Sequence, residues 1–97
     1  MTLSESQKKY LRGLGHALNP VVMVGDAGLT ATLLAEFNSS LEHHELIKVR
    51  VKVGDREVRN DIIGKLCDEG SAVLVQRVGN MALMYRENTD KKKIRLP

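Results

Sequence analysis

The stretch that decides the fold is LIKVRVKV, residues 46–53. Four aliphatic residues alternate with three cations along it: Ile47, Val49, Val51 and Val53 with Lys48, Arg50 and Lys52. Successive side chains of a β-strand point to opposite faces of its sheet. The pattern therefore predicts a strand with an aliphatic face, suited to a core, and a cationic face.

Helical patterns lie on both sides of this strand. Residues 30–43 carry an apolar stripe at helical spacing. After the strand, Asp55 is a plausible N-cap for a helix that Gly70 ends. An earlier helix over residues 4–17 begins with Ser4 and Gln7, a capping-box pair, and stops before Pro20.

Three further strands are expected. The short apolar run VVMV, residues 21–24, reads as a buried strand, and residues 72–78 and 81–86 flank the hairpin signal Gly79-Asn80. The order α-β-α-β-α-β-β predicts a two-layer α/β domain with a mixed four-stranded sheet. Three strands would run parallel, and the last would be antiparallel to its hairpin partner.

The hairpin turn sets a register and thereby predicts two faces. On one side Gln76 would face Leu83 and Leu74 would face Tyr85, and this more apolar side should meet the helices. The other side carries Arg77 and Arg86 and should be the face of the cationic strand residues. Its remaining aliphatic residues indicate that the N-terminal helix covers part of it.

A glycine loop lies between the first strand and the helix that follows. It reads Gly25-Asp26-Ala27-Gly28. Free N–H groups at a helix start favour a phosphate, and glycine lets a ligand's backbone come close. The structural alternative is a turn that needs glycine for a positive φ. Asp26 counts against phosphate contact unless it caps the helix or forms a local turn.

Composition indicates one soluble domain over residues 1–97 with a basic C-terminal tail at residues 88–97, in which the lysines at 91–93 are expected to be mobile. The chain has 97 residues, a net charge of +3 and a single cysteine, which excludes an internal disulfide. The polar N-terminus has no signal peptide and no stretch is long enough to span a membrane, so a cytoplasmic location is expected.

Basic and acidic charges are separated along the chain, as a polyanion-binding surface requires. Residues 48–59 hold five Lys or Arg against two acidic residues, whereas residues 31–45 hold three Glu and no Lys or Arg. Catalysis has no support, because the sequence offers no carboxylate pair, metal-ligand spacing or nucleophile with a base. His43 and His44 point in different directions on a helix, Cys67 fits a core position, and neither a metal nor a cofactor is expected.

The glycine loop after VVMV, the later LEHHELIKVRV, the hairpin and the closing MYR…KKKIRLP together resemble the CRM domain (chloroplast RNA splicing and ribosome maturation) in its bacterial stand-alone, YhbY-like form. The resemblance covers essentially the whole chain. It implies a fold similar to the C-terminal domain of translation initiation factor three. It also implies RNA binding and association with precursors of the large ribosomal subunit.

The sequence therefore predicts a non-catalytic RNA-binding domain with no membrane or small-molecule partner. Only three aromatic residues are present, which argues against base stacking on a sheet and favours recognition of backbone and shape. The predicted contacts are the glycine loop and eight cations around it: Lys8, Lys9, Arg12, Lys48, Arg50, Lys52, Arg56 and Arg59. The alternative is a protein-interaction adaptor that docks on basic proteins through the acidic helix at residues 31–45.

Overall fold

Side-chain caps fix where the three helices begin. The computed structural model describes residues 2–97. Its elements in chain order are α1 (Glu5–Gly15), β1 (Pro20–Val24), α2 (Ala31–His44), β2 (Leu46–Val51), α3 (Arg56–Gly70), β3 (Val73–Val78) and β4 (Met81–Tyr85). Ser4, Thr30 and Asp55 each accept a backbone N–H from the first turn of the helix they precede. The capping box of Ser4 and Gln7 and the Asp55 cap are confirmed.

The predicted element order and the mixed four-stranded sheet are confirmed. The strands lie in the order β1-β2-β4-β3, with β1 parallel to β2 and with β4 antiparallel to both of its neighbours. Three strands therefore run in one direction. The last strand of the chain lies inside the sheet rather than at its edge, where it joins β2 to β3.

The sheet has a core on each face. On one face, Ile47, Val49 and Val51 are buried against Phe37 and Leu41 of α2 and the apolar side of α3. On the other face, Leu11 of α1 is buried with the cluster formed by Leu3, Leu46, Val75, Leu83 and Tyr85. Helix α1 thus adds a partial third layer on this face.

The predicted facing of the hairpin is wrong. Ala82 and Met84 lie with Ile47 on the α2–α3 face, whereas Leu83 and Tyr85 lie on the α1 face. The register near the turn is as expected, with Gln76 opposite Leu83, but it shifts between Leu74 and Gln76. Both faces of the sheet are covered by helices, so the number of apolar residues on each side of the hairpin did not show which side meets α2 and α3. The irregularity also lets Val75 pack against α1.

The C-terminal segment is packed against the domain, so the expected mobile tail is wrong. Ile94 and Leu96 pack against the α1-side cluster. Glu45 is completely buried, and its carboxylate accepts backbone N–H groups from Asn88, Lys93 and Ile94 at 2.6–2.7 Å. Glu45 also ends α2 with a φ of 62°. One buried carboxylate therefore fixes residues 88–94.

Candidate functional site

The glycine loop forms a tight turn at the carboxyl end of β1. The N–H of Gly28 donates to the carbonyl of Gly25 at 3.0 Å, and Asp26 and Ala27 are exposed at its tip. Within residues 2–97, the N–H groups of Asp26 and Ala27 donate to no protein acceptor. Two adjacent N–H groups are therefore available to an acceptor from outside the chain.

The two glycines of the loop are needed for different reasons. Gly28 has a φ of 72°, a conformation that other residues adopt at a cost. Gly25 has no positive φ, and a methyl group placed on it would meet no atom within 4 Å. The turn itself therefore requires glycine at position 28 but not at position 25. The structural explanation offered for the loop accounts for only one of the pair.

The loop does not run directly into the helix. Helix α2 begins at Ala31, and the hydroxyl of Thr30 accepts the N–H of Leu33 at 3.1 Å. Leu29 packs against the core between the loop and this cap. Thr30, not Asp26, is thus the residue that caps α2. The N–H groups of the turn, rather than those of the helix, are the donors next to the tip of the loop.

Three connections meet at the loop end of the sheet. The N–H of Lys52 donates to the carbonyl of Val24 at 2.8 Å, which places the β2–α3 connection beside the glycine loop. On the far side, the N–H of Val51 donates to the carbonyl of Asn80 in the hairpin turn at 2.7 Å. Arg56, the exposed first residue of α3, follows directly. The glycine loop therefore lies beside Lys52, the exposed residue that directly follows β2.

Four of the predicted cations form a surface that we call the cation face: Arg12 on α1, Lys48 and Arg50 on β2, and Lys52, which is exposed directly after β2. Arg50 pairs with Met23 of β1 and Met81 of β4, so it lies in mid-sheet on the part that α1 leaves uncovered. Lys48 pairs with Leu83 and lines a cavity together with Arg12 of α1. Gly15 lets the backbone of α1 lie close to Leu83 of β4, since a Cβ at position 15 would be 2.7 Å from Cδ2 of Leu83.

Three other predicted cations, Lys8, Lys9 and Arg59, have different surroundings. Lys8 is half-buried and lies 3.9 Å from Glu5, and Lys9 is exposed beside Gly13 and Pro97 on the outer side of α1. Arg59 uses Nη1 to bind Oδ1 of Asn80 at 2.7 Å, which holds the hairpin turn. Lys8 and Lys9 extend the positive field, whereas Arg59 has a structural contact of its own.

Arg77 and Arg86 do not lie on the cation face, contrary to the sequence prediction. Arg77 pairs with Ala82 on the α2–α3 side and donates to the carbonyl of Gly79 at 2.9 Å. Arg86 donates to the carbonyl of Gly70 at 2.8 Å and to Oδ1 of Asn38 at 2.9 Å. It also pairs with Glu42 at 3.3 Å. Arg86 is thus a structural link between α2, α3 and β4.

The acidic helix offers less charge than its sequence indicated. Glu45 is completely buried and Glu42 shares its carboxylate with Arg86. Glu36 remains exposed. The surface that the adaptor alternative requires is therefore reduced to one free carboxylate and one that is partly neutralised.

Cys67 is a half-buried free cysteine on α3. Burial, with the neighbouring Asp68, raises the pKa of the Cys67 thiol, which disfavours the nucleophilic thiolate. Among residues 2–97, no three His, Cys, Asp or Glu side chains are grouped so as to hold a metal ion. The helices of the same residues are all too short or too polar to cross a membrane.

Sequence reasoning missed several neutral residues that adjoin the cation face: His16, Gln76, Val78 and Met81. Val78 is 64% exposed, the highest exposed fraction among the large hydrophobic residues of the described chain. The pairing of the hairpin with β2 could have placed Gln76, Val78 and Met81 beside the cations, but the predicted facing put them on the opposite face of the sheet. His16 had no partner in the sequence because its neighbours come from β3 and β4.

The chain is similar to known proteins over most or all of its length. The model of the CRS1 / YhbY (CRM) domain matches residues 3–86. The chain is 49% identical over 96 residues to the "RNA-binding protein" of Haemophilus influenzae, covering 99% of this chain and 96% of the relative. It is 36% identical over 95 residues to "Probable RNA-binding protein YqeI" of Bacillus subtilis, covering 98% and 99%. The solution structure of the hypothetical protein SAV1595 from Staphylococcus aureus superposes with a TM-score of 0.83 at 33% identity, covering 99% and 100%.

Proposed function

The chain belongs to the CRS1 / YhbY (CRM) domain family, and from that premise we propose that it is an RNA-binding protein without catalytic activity. It holds the sugar–phosphate backbone of a structured RNA between the glycine loop and the cation face. The observation that carries the proposal is the position of two unpaired N–H groups beside β2, whose only side chains that are not buried, Lys48 and Arg50, are cationic.

The two parts of the site have different roles. Backbone N–H groups position a phosphate but contribute little energy at an exposed turn, whereas Lys and Arg release counterions from RNA and supply most of the affinity. Arg50 lies on β2, the strand next to β1, and Lys52 directly follows β2 with its N–H bonded to the carbonyl of Val24, so both are close to the loop. One phosphate at the loop and its neighbours on the cation face would therefore be bound together.

The target we propose is ribosomal RNA in precursors of the large ribosomal subunit. This part of the proposal rests on the family resemblance of the glycine loop, the β2 region and the C-terminal segment. Cross-linking the protein to RNA in cells and sequencing the fragments tests it. Fragments spread over messenger RNA, with none enriched from the large-subunit RNA, would contradict this target and leave RNA binding itself intact.

Salt dependence tests the cation face. For single-stranded RNA, each lost phosphate contact lowers the slope of log affinity against log salt by about 0.7. The double variant Arg50→Gln/Lys52→Gln should therefore lower the slope by about 1.4, measured by fluorescence anisotropy. The matched control Lys65→Gln/Lys91→Gln removes the same charge from exposed positions elsewhere and should leave the slope unchanged. Equal effects of both pairs would refute a localised face.

A bulky residue at position 25 tests the loop. Since a Cβ there would meet no atom within 4 Å, Gly25→Leu should leave the unfolding midpoint unchanged and lower RNA affinity about tenfold, or about 1.4 kcal/mol. Gly64→Leu places the same side chain in open space on α3 and should bind RNA normally. A Gly25→Leu variant that folds and binds RNA like the unchanged protein would remove the loop from the site.

A further inference from the structure

A cavity of about 320 Å³ opens between α1 and the β3–β4 hairpin, next to the cation face. Two of its lining residues, Arg12 and Lys48, belong to that face. The others that matter here are neutral or weakly basic: His16, Gln76, Val78 and Met81. The cavity is therefore continuous with the surface proposed to hold the RNA backbone, but its chemistry differs from that surface.

The floor of the cavity is aliphatic. Leu83 is buried beneath it, Met81 is half-buried, and Val78 is 64% exposed. A site for phosphates alone has no use for an exposed valine in its lining, because phosphates gain nothing from apolar contact. The flat faces of a nucleobase do gain from it, since they are poorly hydrated compared with the base edges.

The rim of the cavity is polar and mixed. The side-chain amide of Gln76 has both donors and an acceptor, which suits the edge of a base. Arg12 and Lys48 place two cations at the same rim, where the phosphates on either side of that base would lie. The cavity volume lies at the lower end of the range for ligand sites, which starts at about 300 Å³. That size suits one base.

We propose that this cavity takes a single unpaired nucleobase of the RNA whose backbone lies on the cation face. The inference rests on the proposed RNA binding and adds a preference to it: RNA with a bulged or looped-out nucleotide should bind better than a continuous duplex. An apolar side chain of a protein partner is the less suitable occupant, because the two cations at the rim would be left without counter-charges.

The test compares two stem-loop RNAs that differ only at a one-nucleotide bulge, which is adenosine in one and abasic in the other. Their phosphates are identical, so any difference in affinity reports the base. The unchanged protein should bind the adenosine bulge about tenfold more tightly, which corresponds to about 1.4 kcal/mol. The variant Gln76→Ala/Val78→Ser, which keeps the charge, should bind both RNAs equally and with the salt slope of the unchanged protein.

Val21→Ser is the matched control, because Val21 is also exposed, at 45%, but lines a different part of the sheet surface. It should keep the tenfold preference. If the double variant unfolds in a circular dichroism melt, Gln76→Ala alone replaces it.

The outcomes separate the inference from the function on which it rests. Salt-dependent binding of both RNAs with equal affinity by the unchanged protein overturns the base cavity and leaves RNA binding in place. A preference that persists in Gln76→Ala/Val78→Ser also overturns it, since the base would then be held elsewhere. Failure of the unchanged protein to bind either RNA at low salt refutes the proposed function itself.

Discussion

The backbone N–H of Lys93 donates a 2.6 Å hydrogen bond to Oε1 of Glu45, a side chain with no exposed surface. The two residues are far apart in sequence, and the bond fixes the C-terminal segment where α2 ends. Since Ile94 and Asn88 donate to the same carboxylate, the arrangement binds an anion with three main-chain groups. Substitution of Glu45 should therefore change the stability of the fold rather than a surface property.

Glu45→Gln should destabilise the protein by about 1–3 kcal/mol, measured by urea unfolding. The amide nitrogen of glutamine would face the N–H of Asn88 or of Lys93 and Ile94, and a buried donor left unpaired costs about 1–3 kcal/mol. Glu36→Gln removes the same charge from an exposed position of α2 and should change stability by less than about 0.5 kcal/mol. Equal stability of the two variants would show that the three hydrogen bonds contribute nothing.

Substitution by alanine should lower stability at Gly28 and leave it unchanged at Gly25. Gly28→Ala must adopt a φ near 72° and should lose about 1–2 kcal/mol of stability. Gly25→Ala has free space and an ordinary φ, so its free energy of unfolding should stay within about 0.5 kcal/mol. Thermal melts of both variants check this. A Gly25→Ala variant as unstable as Gly28→Ala would mean that the turn needs both glycines.

Substitutions of Arg86 and Arg50 should separate stability from RNA binding. Arg86→Gln leaves the carbonyls of Gly70 and Asn38 without their donor and should cost about 2–3 kcal/mol in urea unfolding, with no change in the salt slope of RNA binding. Arg50→Gln should do the reverse, lowering the slope by about 0.7 at unchanged stability. The prediction fails if Arg86→Gln lowers the slope as Arg50→Gln does.

Alkaline pH should destabilise the protein through Tyr85. Burial, together with Glu45 and Glu87, raises the pKa of Tyr85 to about 12 from its ordinary value of 10. The unfolded state then loses its proton first, so this contribution to stability is complete below pH 10 and is lost as the pH rises from 10 towards 12. Urea unfolding at a series of pH values, compared with Tyr85→Phe, isolates this loss as the difference between the two proteins.

Tyr85→Phe should itself be neutral or stabilising near pH 7. The Tyr85 hydroxyl is buried and has no hydrogen-bond partner within residues 2–97. Removing an unpaired buried hydroxyl relieves its desolvation cost, whereas the ring continues to pack with Leu11 and Leu46. A loss of more than about 1 kcal/mol would reveal a partner for the hydroxyl.

Local signals predicted most of the fold. The alternation of residues 46–53 gave the β2 strand with its buried and cationic faces, and Ser4 and Asp55 marked helix starts that the structure confirms. Contacts between distant residues were the part that no pattern revealed. From the sequence, Glu45 at the end of an acidic helix is expected at the surface. Only the structure shows that the backbone of Lys93 and Ile94 packs against it.

The candidate site was predicted in part for the same reason. The glycine loop, Arg50 and Lys52 follow from strand periodicity and from the parallel pairing of β1 with β2. The facing of Arg77 and Arg86 was wrong because both faces of the sheet carry apolar residues. The irregularity between Leu74 and Gln76 separately moved Val75 to the α1 face. A one-residue shift moves a strand's side chains to the other face.

The position of β4 between β2 and β3 has a consequence for synthesis of the chain. A nascent polypeptide emerges from its amino end, so β3 leaves the translating ribosome before the strand that connects it to β2. Until residues 81–85 emerge, β3 has no sheet partner, and until residues 88–94 emerge, the carboxylate of Glu45 has no donors from them. The finished domain therefore forms only after residues 81–94 have left the ribosome.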